Sequence, residues 1–174
     1  MPKINKVVNL VQSAGKSLIW IALGLFISVI FSSFSVKEPQ VDTATIERQV
    51  LRYSNDFRKS VRHNQLTRQK KLDEIARKHA QDMAYGRRRF SHNGFNSRFK
   101  EAGRDIRGAY SFAENLYTST NYSSEEVAQS AVKGWKTSKG HLRNLKGSFD
   151  YTGIGVVRNR KGDYYVVQVY MKVD

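Results

Sequence analysis

Two histidines and one glutamate, on three separate segments, are the residues best placed to do chemistry. They are His92 in Phe90-Ser91-His92, Glu114 in Ala113-Glu114-Asn115-Leu116, and His141 at the end of the stretch from Trp135 through Ser138-Lys139-Gly140-His141. Imidazole changes charge near neutral pH and binds zinc through a neutral ring nitrogen, while a carboxylate orients the ring or completes the coordination. Brought together, the three could bind a ligand or a divalent metal, with His92 and His141 as metal ligands and zinc as the ion. They could also run metal-assisted hydrolysis, with Glu114 as ligand or general base. The same residues have a plain structural use, two imidazoles bracing loops and an acid satisfying backbone donors. No nucleophile accompanies them, since Ser91 and Ser138 lie near the histidines but in no nucleophile-elbow pattern. His63 and His79 read as ordinary, the first in a polar turn and the second at a helical core edge.

The elements that must position these residues follow from hydrophobic period. Ile46, Val50, Tyr53, Phe57 and Val61 recur at spacings of three and four, a first helix ending near His63 and Asn64. Leu72, Ile75, Ala76, His79, Ala80 and Met83 repeat the pattern, with Gly86 as a stop. A loop then carries His92, followed by a short helix whose Phe95, Phe99 and Ala102 share a face. The stretch 109–119 reads as a strand with Glu114 inside it, and an acid among apolar neighbours is either paired or functional. A further helix opens at Ser123, which has capping-box spacing to Glu126, and runs through Trp135. Gly140 is expected to end that helix and deliver His141 at its exit.

The last third reads as a hairpin, 151–158 and 164–172, around Asn159-Arg160-Lys161-Gly162-Asp163. Gly153 and Gly155 alternate with Ile154 and Val156, so one face of the first strand is almost bare there. A close approach of backbone or ligand explains that, and so does a bulge. Helices followed by a mixed run and a hairpin give an α+β domain.

The chain has 174 residues, 40% of them apolar, enough for one domain with a sizeable core. It has no cysteine, which excludes disulfides, thiolate nucleophiles and cysteine-ligated zinc. Near the start, Lys3, Lys6 and Lys16 precede an uncharged run over 17–36 that is long enough, at about 30 Å, to cross a bilayer as a helix. Residues 1–36 are therefore a signal peptide, with Ser33-Phe34-Ser35 as a cleavage site, or a signal anchor. The length of the run and of its leader favours the anchor. The lysines keep the leader in the cytoplasm and place the rest outside, so the protein is expected to be extracytoplasmic, membrane-anchored or secreted after cleavage. Residues 37–45 read as a linker, and the domain occupies 46–174.

The formal net charge is +15. Without Lys3, Lys6, Lys16 and Lys37, 26 basic residues face 15 acidic ones, so residues 38–174 carry +11 and the domain itself is basic. Arg87-Arg88-Arg89 is the densest basic run. Such a surface attracts anionic lipid or an acidic wall polymer, an adhesion role, or it simply keeps the protein soluble. No nucleic-acid motif accompanies it, and no specific nucleic-acid partner is expected.

In their order, the His92, Glu114 and His141 segments and Tyr151-Thr152-Gly153-Ile154-Gly155-Val156 resemble the CAP domain. This is the family of cysteine-rich secretory, antigen 5 and pathogenesis-related-1 proteins, and the chain is similar to its cysteine-free bacterial versions. The resemblance implies a three-layer α-β-α sandwich in which His92, Glu114 and His141 line one cleft, with a divalent metal bound there in some members. It also implies a non-enzymatic module whose cleft or neighbouring groove takes a hydrophobic or lipid-like ligand. Many members carry a second acid between the first histidine and the Glu-Asn pair; here that register falls on Gly103, between Glu101 and Asp105.

Overall fold

The computed structural model describes residues 42–120 and 122–174. The run over 17–36 and most of the linker lie outside the described residues. Among those described, no helix is long and apolar enough to cross a membrane.

Helix α1 spans Thr43–Ser60, so it starts inside the expected linker and stops just before the left-handed Arg62. A two-residue strand β1, Thr67–Arg68, leads into α2, Lys70–Ala84. Helix α3 is Phe95–Asp105, β2 is Ala109–Ser119, and α4 is Ser124–Thr137 with the Ser123–Glu126 capping box formed. A separate short helix α5 covers Lys139–Leu145. Strands β3, Tyr151–Arg158, and β4, Tyr164–Val173, form the expected hairpin. The sheet order is β1-β3-β4-β2, antiparallel except for the short β1–β3 pair.

Alternation along the strands divides the core in two. Ile154, Val156, Val166 and Tyr170 face α1 and α4, where Ile46, Val50, Val127, Ala131 and Trp135 close one apolar layer. Val167, Val169 and Met171 face the other way, onto Leu72, Ile75, Ala76 and Ala80 of α2 and Ala102 of α3. The result is the α+β, three-layer α-β-α sandwich. The bare face of β3 has its cause here. A Cβ on Gly153 would run into the backbone of Leu72 and Asp73, and one on Gly155 into Ala76 and Arg77, so α2 lies directly on the strand.

Both sheet edges are covered by side chains. Beyond the short β1, the N–H groups of Ile154 and Val156 donate to Asp73 and Glu47. On β2, the carbonyls of Glu114 and Leu116 accept from Asn144 Nδ2 (3.1 Å) and the Trp135 indole (2.9 Å). Unpaired strand edges left open are sticky, and here they become attachment points for helices.

Candidate functional site

Because β2 is an edge strand, the two helical layers can meet around it. Glu114 points into the α2–α3 layer and its neighbour Asn115 into the α4–α5 layer, as strand alternation requires. His92 comes from the loop between α2 and α3, and His141 from the first turn of α5. Their rings approach with centroids 6.3 Å apart and planes inclined by 53°. The three expected site residues are thus brought together.

Glu114 has no exposed side-chain surface. Arg98 of α3 grips it from one side, Nε to Oε2 at 2.7 Å and Nη2 to Oε1 at 2.8 Å. His92 Nδ1 lies 2.8 Å from Oε1 on the other side. A carboxylate is acceptor only, so His92 carries its proton on Nδ1, and in the neutral ring Nε2 is left as the free acceptor. Half of the His92 side chain, 51%, is exposed, so that nitrogen belongs to a ring open to solvent. Burial by itself raises the Glu114 pKa; the hydrogen bonds from His92 and Arg98 and the Arg98 charge outweigh it and hold the carboxyl below the usual glutamate value.

Arg98 also fastens the loop that delivers His92. Its Nη1 donates to the carbonyl of Asn93 (2.9 Å) and its Nη2 to that of His92 (3.3 Å). The chain turns back through Gly94 at φ 82°, in the left-handed region that glycine tolerates best. Behind this layer His79 is buried, with Nε2 3.0 Å from the Ser91 carbonyl and 3.8 Å from Glu114 Oε1. Burial lowers its pKa, against the pull of Glu114. It stands at the core edge, as its helical register predicts, and braces the loop of His92.

His141 does not sit at a helix exit. The helix carrying Trp135 ends at Thr137, and the chain restarts at Lys139 with His141 inside α5; Gly140 lies within that helix instead of ending one. Ser138, extended between the two, is the C-cap of one helix and the N-cap of the next. Asn115 Nδ2 holds the His141 carbonyl at 3.1 Å and the Tyr170 hydroxyl at 3.1 Å, while its Oδ1 accepts from Asn144. Burial, and then the nearby His92, lowers the His141 pKa. The Glu-Asn pair therefore does two jobs on opposite faces, Glu114 orienting His92 and Asn115 placing His141.

The acids around Gly103 do not join the cleft. Glu101 and Asp105 pair with Lys71 at 3.5 and 3.2 Å. The residue that enters beside Glu114 is a cation, Arg98, which lies outside the motifs that carry His92, Glu114 and His141. A signal was available: Arg98 is three residues after Phe95 and four before Ala102, so it lies on the buried stripe of α3, where an arginine needs an acid.

A divalent cation would find two imidazoles here and a buried carboxylate behind one of them, an arrangement in which the acid orients a ligating histidine. Closed zinc sites use four protein ligands. Among the described residues no group of three or more His, Cys, Asp or Glu is arranged to hold a metal ion. Two imidazoles fall short of such a set, and Glu114, with both oxygens taken by His92 and Arg98, stands apart from it.

Fold and edge-strand cluster together define a three-layer α-β-α domain with a polar cluster where its layers meet. Residues 51–170 match CAP, the cysteine-rich secretory protein family, and the chain belongs to that family, in a cysteine-free form. No curated protein is similar enough by sequence to count as a relative. Among solved structures, an outer surface protein of Borrelia burgdorferi is similar over 78% of this chain and 98% of its own, at 18% identity and a TM-score of 0.64. An extracellular protein containing an SCP domain from Bacillus anthracis is similar over 75% of this chain at 24% identity and a TM-score of 0.61. A cysteine-rich secretory protein of Staphylococcus aureus follows at 77%, 16% and 0.59. The likeness spans 41% of each of the last two chains. These likenesses establish the fold.

Proposed function

We propose that this chain is an extracytoplasmic, non-enzymatic binding module for a hydrophobic or lipid-like ligand, with an auxiliary cation position at His92 and His141. The observation that carries the non-enzymatic reading is the double grip of Arg98 on Glu114. A hydrolase built on this cleft needs Glu114 as ligand or general base, and an acid neutralised by a bidentate arginine and held below its usual pKa is a poor base. Extracytoplasmic placement rests on the apolar run behind three lysines and on relatives described as outer-surface, extracellular or secretory.

A place for the ligand lies between α1 and α4. The groove there has a volume of about 480 Å³, within the range of small-molecule sites. Tyr53, Phe57 and Val132 line it beside the polar Asp56, Ser60 and Gln129, and Lys133 and Lys136 stand at its rim, Lys136 Nζ 5.2 Å from the centre of the Phe57 ring. Asp56 leans on Arg52 at 3.8 Å, and an apolar strip with two lysines at its edge suits an amphiphile with an acidic head, such as a long-chain fatty acid.

The test is retention of oleate by the full chain in mild detergent, read by mass spectrometry after re-isolation. Gln129→Trp, at an exposed position of the groove, should abolish retention, and Lys133→Glu with Lys136→Glu should weaken it. Failure to retain any apolar ligand, or equal retention by the Gln129→Trp chain, overturns the reading. The cation position is tested by zinc titration calorimetry: His92→Ala and His141→Ala should each remove the binding isotherm.

A further inference from the structure

Away from the cleft, the C-terminal end of α2 faces the β3–β4 turn across an open hollow of about 560 Å³. Two of its walls are aromatic. Tyr85, on one side, is 50% exposed, and Tyr165, on the other, carries Phe90 against it edge to face at 6.4 Å, with Phe90 itself 47% exposed. Tyr165 is partly buried against the core, and the Arg87 guanidinium stands 5.6 Å from the centre of the Tyr85 ring, so the open faces are those of Tyr85 away from Arg87 and of Tyr165 toward the hollow; exposed large rings mark an interaction surface.

The charge around these rings is unevenly compensated. Arg87 and Arg88 lean on Asp82 at 2.8 and 3.6 Å, so two members of the arginine run already have an acid. Arg160 and Lys161, across the hollow, are exposed and have no carboxylate within ion-pair distance among the described residues. The backbone of their turn is fixed. Asn159 Oδ1 accepts from the backbone N–H of Lys161 and of Asp163, both at 2.9 Å, and Gly162 takes the left-handed conformation at φ 96°.

We propose that this hollow binds an acidic polysaccharide, its sugar rings stacked on Tyr85 and Tyr165 and its carboxylates paired with Arg160 and Lys161. Charge complementarity selects an anionic partner. Asp163 also lines the hollow, and its carboxylate accepts hydrogen bonds from sugar hydroxyls, which every unit of a polysaccharide supplies. A phosphate backbone offers that acceptor no donor, which sets a hydroxyl-rich polymer above a nucleic acid. The rings are recessed in a concavity, which receives a chain better than it meets the plane of a bilayer. This surface is independent of the cleft and of the α1–α4 groove.

The experiment is calorimetric titration of the full chain, in mild detergent, with polygalacturonate oligomers, and with dextran, oligo(dT) and phosphatidylglycerol vesicles as comparators. Polygalacturonate should bind and neutral dextran should not. Arg160→Ala with Lys161→Ala should weaken binding by about tenfold or more, and Tyr85→Ala by about threefold to tenfold. All three sites are exposed, and the thermal midpoint checks that each variant is folded. No binding of polygalacturonate, indifference to both sets of substitutions, equal binding of dextran, or equally tight binding of oligo(dT) or vesicles overturns the proposal.

Discussion

Arg98 and Glu114 form a buried, two-point ion pair, 2.7 and 2.8 Å, between a helix and the edge strand of the sheet. The pair joins the two parts of the site: Glu114 sets the His92 ring, and Arg98 holds the loop on which that ring sits. Removing one partner of such a pair leaves a charge buried without compensation.

Arg98→Met should therefore destabilise the protein by about 3–5 kcal/mol, whereas Arg98→Met combined with Glu114→Leu should restore most of the loss. Urea unfolding of the parent, single and double variants measures both. A single variant as stable as the parent would contradict the pairing.

The pH dependence has a definite sign. Glu114 has a folded pKa below its unfolded one, so its contribution is present above the unfolded value and is lost as pH falls through the folded one. His79 is also lowered, by burial, so the unfolded chain takes up a proton that the folded chain refuses once pH drops below about 6.5. The urea midpoint should be level above neutrality, decline below about pH 6.5, and decline again in the carboxylate range. Glu114→Gln should shrink the second decline. A midpoint constant from pH 7 to 3 would exclude both effects.

Asn115 is expected to control His141 without touching His92. Asn115→Leu strips hydrogen bonds from the His141 carbonyl, the Tyr170 hydroxyl and Asn144, a loss of about 2 kcal/mol. In imidazole NMR spectra the His141 resonances should move while those of His92 stay. Equal displacement of both rings would mean that the cleft responds as one unit.

Glycine on β3 is a packing requirement. Gly155→Ala should cost about 3 kcal/mol or more, because the added methyl meets the backbone of α2. Gly140→Ala, in α5 with open space around it, should be neutral or stabilising by up to about 1 kcal/mol. Thermal unfolding of the two variants distinguishes a crowded glycine from a free one.

Much of this was legible in local pattern. Helical periods point to α1 and α2 through Ile46, Val50 and Leu72, Ile75, and runs rich in aromatic and aliphatic residues point to β2, β3 and β4, with Glu114 already inside its strand. The break between α4 and α5 was not, because Gly140 is compatible with either ending a helix or lying within one. Only the fit of α5 against the β2 edge, through Asn144 and Asn115, settles which. The two-residue β1 carries too little pattern to be seen.

By itself the sequence determined which residue types could do chemistry, the elements that carry them and the family to which they belong, since period and motif order are properties of the chain. Tertiary structure decided what those residues are free to do. Strand order put β2 at the edge, where two layers can bring His92 and His141 together, and it set Arg98 against Glu114. The state of a carboxylate depends on its neighbours in space, and Arg98 reaches Glu114 only because α3 packs across β2.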